Sequence, residues 1–193
     1  MQKLRIFFIY RKFTPQKYKK IHDHATSTAW MRVFRTLKTL NQMKLVIQRV
    51  THARVEVEGK TVGNIAKGML VLVGVDVDDT EADADFLAAK TVALRIFDDE
   101  NGVMNRSVAD IGGQVLAVSQ FTLLASTRKG NRPSYIRAAR PEKAVPLYEL
   151  YCSKVEQLMG KPVERGIFGA DMQVSLLNDG PVTILYDTRE TKD

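Results

Sequence analysis

The sequence is poor in the groups on which covalent and metal chemistry depend. It has one cysteine, Cys152, and three histidines. A single cysteine excludes a disulfide framework within the chain, and a reducing, cytoplasmic setting is the expectation. Two of the histidines, His22 and His24, fall in the first 42 residues, so the remainder holds only His52. A Ser-His-Asp or Cys-His arrangement needs a base beside its nucleophile, and a lone imidazole is more often structural or solvent-facing than catalytic. No Cys/His spacing suits zinc, and neither type of glycine-rich phosphate loop occurs. Cys152 stands among apolar residues of a helical pattern, as a core thiol does. Neither a metal nor an organic cofactor is expected. No apolar run reaches the roughly 20 residues that span a bilayer, so no membrane partner is expected either.

Acidic residues are scarce in one region only. Residues 1–42 hold ten of the 29 Lys and Arg but one of the 22 Asp and Glu, a net +9. The rest carries 19 basic and 21 acidic side chains, a net −2, so the overall +7 says nothing about the body of the protein. Three readings of this atypical basic extension stand open: an organellar transit segment, a basic arm that touches RNA phosphates, or sequence upstream of a start at Met43. Residues 43–193 read as one domain of ordinary globular composition.

From Met43 the pattern is regular. Leu45, Val46, Ile47 and Val50, then Val55 and Val57 alternating with Arg54, Glu56 and Glu58, predict a strand. Glu58-Gly59-Lys60 predicts a turn and residues 61–65 a hairpin partner. Residues 68–75 form a short apolar run, a buried strand. Asp79 or Thr80 can cap a helix with Glu81 and Asp83 in its first turn, ending near Arg95. Residues 113–124 predict another apolar strand and residues 125–140 a polar, basic loop. Pro141 opens a second helix with a stripe of Leu147, Leu150, Tyr151, Val155 and Leu158, closed by Gly160. Residues 172–177 alternate, Asn178-Asp179-Gly180-Pro181 reads as a turn, and residues 182–186 as a last strand. Hairpins with two separated helices imply an α+β fold with a mainly antiparallel sheet.

Two segments break this apolar regularity. Ser119-Gln120-Phe121-Thr122-Leu123 places hydroxyls and an amide in an apolar strand, where unpaired polar groups are costly. It is either an edge strand with a wet face or a site lined by hydroxyls and main-chain N–H groups. Asn178-Asp179-Gly180-Pro181-Val182-Thr183 is either an ordinary turn or something more specialised.

These two segments resemble the signature motifs of the D-aminoacyl-tRNA deacylase family. The opening Met43-Lys44-Leu45-Val46-Ile47-Gln48-Arg49-Val50 and the loop Lys129-Gly130-Asn131-Arg132-Pro133-Ser134 are similar to that family as well. The match runs from Met43 to about Arg189 in the family's order and spacing; together the four segments are specific, whereas each alone is weak. Residues 1–42 have no counterpart in the family's usual pattern.

The resemblance implies a homodimer with a curved, barrel-like sheet, two principal helices and active sites at the subunit interface. Gly180 and Pro181 would form a Gly-cisPro motif inserted into the partner's site, held by Arg49. Ser119, Gln120, Phe121 and Thr122 would line the pocket beside the scissile ester of a D-aminoacyl-tRNA. Main-chain N–H groups near Phe121 and Thr122 would stabilise the oxyanion, the 2′-OH of the terminal ribose would assist the attacking water, and main-chain carbonyls at Gly180-Pro181 would bind the α-ammonium and leave no room for an L side chain. A nucleophilic Thr122 is the rival scheme. Glycyl-tRNA, having no side chain to exclude, is expected to be hydrolysed too. Arg128, Lys129 and Arg132, with Arg137 and Arg140, are expected to meet tRNA phosphates. The rival functions are a non-catalytic RNA-binding module using the same loop and a related deacylase of altered chiral preference.

Overall fold

The computed structural model describes residues 42–191. The readings offered for the basic extension therefore lie outside the described residues, apart from Gln42.

β1 (Lys44–Val57) organises the fold because it is long enough to serve three neighbours. Its first half pairs antiparallel with β3 (Gly68–Gly74), its second half with β2 (Lys60–Ile65), and β8 (Gln173–Asp187) runs antiparallel along both halves. β6 (Gln114–Ser119) pairs parallel with β3, and β7 (Glu164–Arg165) parallel with β6. The sheet is thus mixed. Its parallel pairings arise where helices make the crossovers, because parallel neighbours cannot be joined by a tight turn. α1 (Glu81–Ala93) lies between β3 and β6, and α2 (Pro141–Met159) between β6 and β7. A small ribbon, β4 (Phe97–Asp98) with β5 (Met104–Arg106), follows α1, and a short α3 (Thr188–Thr191) follows β8.

The sheet curls until β2 and β7 face each other. Asn64 N–H donates to Glu164 Oε2 at 3.4 Å, and a Cβ on Gly63 would stand 3.0 Å from the Arg165 carbonyl oxygen. The barrel is nearly closed, and it buries both sheet faces. Leu45, Ile47, Met69, Val71, Val73, Val115 and Ala117 pack under α1 and α2 with Leu87, Tyr148 and Tyr151. Val50, Ala53, Val55, Leu70, Leu116 and Val118 fill the barrel interior. Buried residues of β1 change parity between Val50 and Ala53, where the pairing with β8 slips between Val50 and His52. The slip is a bulge, and it passes the apolar face of β1 from the helix side to the barrel interior. Gly68 is required by proximity: a Cβ there would lie 1.9 Å from the Gln114 carbonyl oxygen, so only glycine lets β6 approach β3.

α1 begins where expected. Thr80 is its N-cap, and its N–H and Oγ–H donate to the Asp83 carboxylate at 2.8 and 2.7 Å. Pro141 opens α2 and Gly160 ends it. The buried stripe of α2 is Leu147, Tyr148, Tyr151, Cys152 and Val155, whereas Leu158 is exposed. The helices meet through a buried Thr91 Oγ1 to Tyr151 Oη hydrogen bond of 2.9 Å, and Tyr148 Oη donates to the Ala117 carbonyl at 2.9 Å. This last bond ties α2 to β6 two residues before its polar end.

Two expectations are corrected. Residues 113–124 are not one strand: β6 stops at Ser119, and Phe121–Leu124 forms a single 3-10 turn. A continuous apolar run cannot separate these states, and tertiary packing decides, since Leu124 buries itself against Gly74, where a Cβ would come within 2.6 Å of it. Asn178-Asp179-Gly180-Pro181 does not reverse the chain either. Gln48 pairs with Thr183 and Val50 with Asn178, so four residues bulge out opposite Arg49 while β8 continues along the same neighbour.

Candidate active site

The last hydrogen bond of β6 is Gln120 N–H to the Val73 carbonyl, 2.7 Å. Beyond it the chain tightens into the 3-10 turn, and the first N–H groups of a helical turn have no partner within it. Among the described residues, no acceptor meets the N–H of Phe121 or Thr122. The Gln120 side-chain amide donates to Thr122 Oγ1 at 2.6 Å. An amide nitrogen of this kind cannot accept the hydroxyl proton, so this contact orients Thr122 without activating it.

Ser119, Gln120 and Phe121 line a cleft of about 270 Å³. Thr122 does not line it; its hydroxyl stands behind, on Gln120. Val73, Val118, Tyr148, Phe168, Gly169, Ala170 and Met172 line it as well. Phe168 leans on Tyr148, ring centroids 6.2 Å apart. Sequence reasoning missed these wall residues. The available signal was Gly166-Ile167-Phe168-Gly169-Ala170, a short run of small residues around one aromatic between a helix and a strand, but it carries no catalytic group. Cys152 is no nucleophile, because burial pushes its thiol up to about 12.

The second motif is fixed by Arg49. This buried side chain donates Nε to the Asp179 carbonyl at 3.0 Å and Nη1 to the Ile96 carbonyl at 2.7 Å, and pairs with Asp98 Oδ1 at 3.3 Å and Asp179 Oδ2 at 3.4 Å. Asn178 closes the base of the bulge: its Oδ1 accepts from Val182 N–H at 2.8 Å and its Nδ2 donates to Thr183 Oγ1 at 3.1 Å. Gly180 has φ of 127°, a conformation open to glycine, and a Cβ there would meet Arg49 at 2.9 Å. The Gly180-Pro181 peptide bond is cis, and both residues are exposed.

Within the chain the two motifs do not meet. Ser119 pairs with Val73 and Val73 with Leu45, while Arg49 lies four residues further along β1 and the bulge one strand beyond it. At ~3.3 Å per residue and ~4.8 Å per strand, the motifs stand on the order of 20 Å apart.

The basic loop sits beside the cleft. Ser126 and Ser134 exchange two backbone hydrogen bonds of 2.9 Å and close its neck. Arg128, Lys129 and Arg132 are exposed on it, with no ion pair among the described residues. Arg137 is engaged inward instead, with Nε on Asp76 Oδ2 at 2.9 Å and Nη2 on Asp76 Oδ1 and on Asp78, so it does not belong with the solvent-facing cations. Nearby, Asp79 accepts the N–H groups of Asp76 (2.6 Å) and Gln42 (2.7 Å). Burial raises its carboxyl to about 7, against the lowering effect of those two bonds. Among the described residues, no helix is long and apolar enough to cross a membrane.

Known proteins match this architecture closely. The family model described as D-Tyr-tRNA(Tyr) deacylase matches residues 46–187. The D-aminoacyl-tRNA deacylase of Bacteroides thetaiotaomicron is 58% identical over 147 residues, covering 76% of this chain and 98% of that protein. That of Porphyromonas gingivalis is 59% identical over 146 residues, 76% of this chain and 97% of its own length. Among solved structures, one described as "c-Myc DNA Unwinding Element Binding Protein" superposes with a TM-score of 0.71 at 39% identity, over 74% of this chain and 97% of that one. A "probable eukaryotic D-amino acid tRNA deacylase" gives 0.66 at 17% identity, over 76% and 99%, and so supports the fold alone. With the family model spanning β1 to β8, the chain belongs to the D-Tyr-tRNA(Tyr) deacylase family and, with it, to the ester hydrolases.

Proposed function

We propose that the protein hydrolyses D-aminoacyl-tRNA to free tRNA and amino acid, as a chiral proofreading step of translation in the cytoplasm. The observation that carries this reading is the pair of N–H groups, Phe121 and Thr122, without a partner among the described residues, at the edge of a cleft lined by Ser119, Gln120 and Phe121. The ester carbonyl oxygen accepts from these groups. Water adds to the carbonyl carbon, and negative charge collects on that oxygen. The ester C–O bond then breaks, and the ribose 3′-oxygen leaves with a proton. One such main-chain donor is typically worth about 3–4 kcal/mol in the transition state. The ester is already activated by the α-ammonium, and the ribose 2′-OH directs the water, so no protein base is needed.

Chirality is read by space. The carbonyls of the Gly180-Pro181 segment hold the α-ammonium and leave no volume for an L side chain; glycine, lacking one, is cleaved as well. The motif must come from a second copy of the chain, since roughly 20 Å separates it from the cleft of its own chain. β8 supports such pairing: among the described residues β1 is the only strand it pairs with, and it exposes Leu177 (54%) and Leu185 (76%). A free strand edge with apolar side chains is a template for association. Arg128, Lys129 and Arg132 hold the acceptor-end phosphates.

The test is ester loss from D- and L-tyrosyl-tRNA and glycyl-tRNA by the purified protein, with its mass in solution measured alongside. Rapid loss of the D and glycyl esters, a stable L ester and a dimer are expected. Equal rates for D and L would overturn the reading. Affinity should fall with salt, with a log–log slope of about −0.7 for each single-stranded phosphate neutralised.

A further inference from the structure

At the rim of the cleft three large apolar side chains reach solvent: Phe121 (56% exposed), Tyr135 (40%) and Ile136 (84%). Phe121 and Tyr135 form an edge-to-face pair with centroids 5.1 Å apart, so Tyr135 stands one ring beyond the cleft wall. The pair is held from both sides. Phe121 is fixed by the 3-10 turn, and Tyr135 lies between the Ser126–Ser134 neck and Arg137, whose carbonyl bonds to Val77 N–H at 3.0 Å. The loop closed by that neck carries three exposed cations, Arg128, Lys129 and Arg132, with no ion pair among the described residues. Exposed aromatics beside unpaired cations are the composition of a single-stranded nucleic-acid track, in which rings take base faces and cations take phosphates.

We infer that the Tyr135 ring, braced by Phe121, stacks the nucleobase that precedes the terminal aminoacylated nucleoside of the substrate. This rests on the deacylase reading above, and it assigns the step by which the acceptor end is aligned. With the terminal nucleoside in the cleft, the next base of the strand reaches the rim where Tyr135 stands, and its phosphate faces the basic loop. Tyr135 acts on binding and alignment, and it touches no reacting atom.

The experiment compares three D-tyrosyl esters, of adenosine, of the dinucleotide CpA and of full tRNA, with the wild-type protein, Tyr135→Ala and Tyr135→Phe. In the wild type, kcat/KM rises from the adenosine ester to the dinucleotide ester. Tyr135→Ala is expected to shrink that rise about tenfold, through KM, and Tyr135→Phe to preserve it, because the ring and not the hydroxyl stacks. An equal loss on all three esters would mean that Tyr135 merely supports Phe121, and would overturn the proposal. So would an undiminished rise in Tyr135→Ala. A wild-type protein inactive on every ester would remove the deacylase reading itself, which separates the two failures.

Discussion

At the end of β6 the main chain turns with two N–H groups that meet no acceptor among the described residues, whereas midway along β8 the bulge is tied at both ends. Ser119–Thr122 has a cleft in front of it and one internal side-chain bond, Gln120 to Thr122. Asn178–Thr183 is held by the Arg49 guanidinium on the Asp179 carbonyl and by Asn178 on Val182 and Thr183. The contrast matches the roles proposed for the two segments. A site that receives developing negative charge keeps its donors unpaired until the transition state supplies the acceptor. A gate that discriminates by distance must not yield, because displacements near 1 Å are worth on the order of 100-fold in rate. One polar segment is therefore left unsatisfied and the other over-determined.

The strongest way to break the comparison is to untie the gate. Arg49→Ala leaves the buried carbonyl of Ile96 and the part-buried carbonyl of Asp179 without their donor. Each such loss costs about 1–3 kcal/mol. D-tyrosyl-tRNA hydrolysis is expected to fall by at least about 100-fold in kcat/KM, measured by single-turnover deacylation on folded protein. Arg49→Lys recovers little of this, since an ammonium cannot present the guanidinium fork. Activity within a fewfold of wild type would show that the bulge holds itself.

Stability should also respond to pH. Close to Arg137 stands Asp79, whose carboxyl is raised by burial to about 7. Its folded value exceeds its unfolded one, so the folded protein keeps a proton that the unfolded chain loses above about pH 4. This contribution is greatest below that pH and is lost as pH climbs to 7. Asp79→Asn should therefore gain on the wild type between pH 5 and 8, by on the order of 2 kcal/mol, in urea unfolding followed across pH. A constant difference would mean that Asp79 is ionised at pH 5. Less costly is Asn178→Ala, which frees Val182 N–H. A loss of about 1 kcal/mol and of about tenfold in activity is expected, with selectivity for D over L reduced, because the bulge loosens without collapsing.

The sequence made the two ends of this comparison legible to different degrees. Alternation located β1, the Glu58-Gly59-Lys60 turn its partner β2, a short apolar run β3, and the capping residues Thr80, Pro141 and Gly160 both helices, because these signals are local. The strand boundary at Ser119 was not legible: Phe121, Leu123 and Leu124 continue an apolar run, and only the tight packing of Leu124 on Gly74 shows that the chain turns. Nor was the bulge, since turn residues look alike whether the chain reverses or bows out, and the pairing of Thr183 with Gln48 decides it. Arg49 was found by resemblance, but its bond to the Ile96 carbonyl depends on a contact 47 residues away. Arg137 was misjudged for the same reason, its partners Asp76 and Asp78 being remote in sequence.

The smallest effect should come from the residue that looks most like a nucleophile. Thr122 Oγ1 receives a hydrogen bond from the Gln120 amide and does not line the cleft. Activation would require a base on its hydroxyl, and among the described residues none is bonded to it. Thr122→Ala removes the hydroxyl and keeps the main-chain N–H. If that N–H is the working group, single-turnover deacylation of D-tyrosyl-tRNA falls by no more than about threefold, below the ~100-fold loss of a single oxyanion donor. Gln120 loses its anchor in the variant, so the residual loss should appear in KM more than in the chemical step. Complete inactivity with an intact fold would place a covalent step at Thr122 and end the distinction between an open main chain that catalyses and a tied main chain that selects.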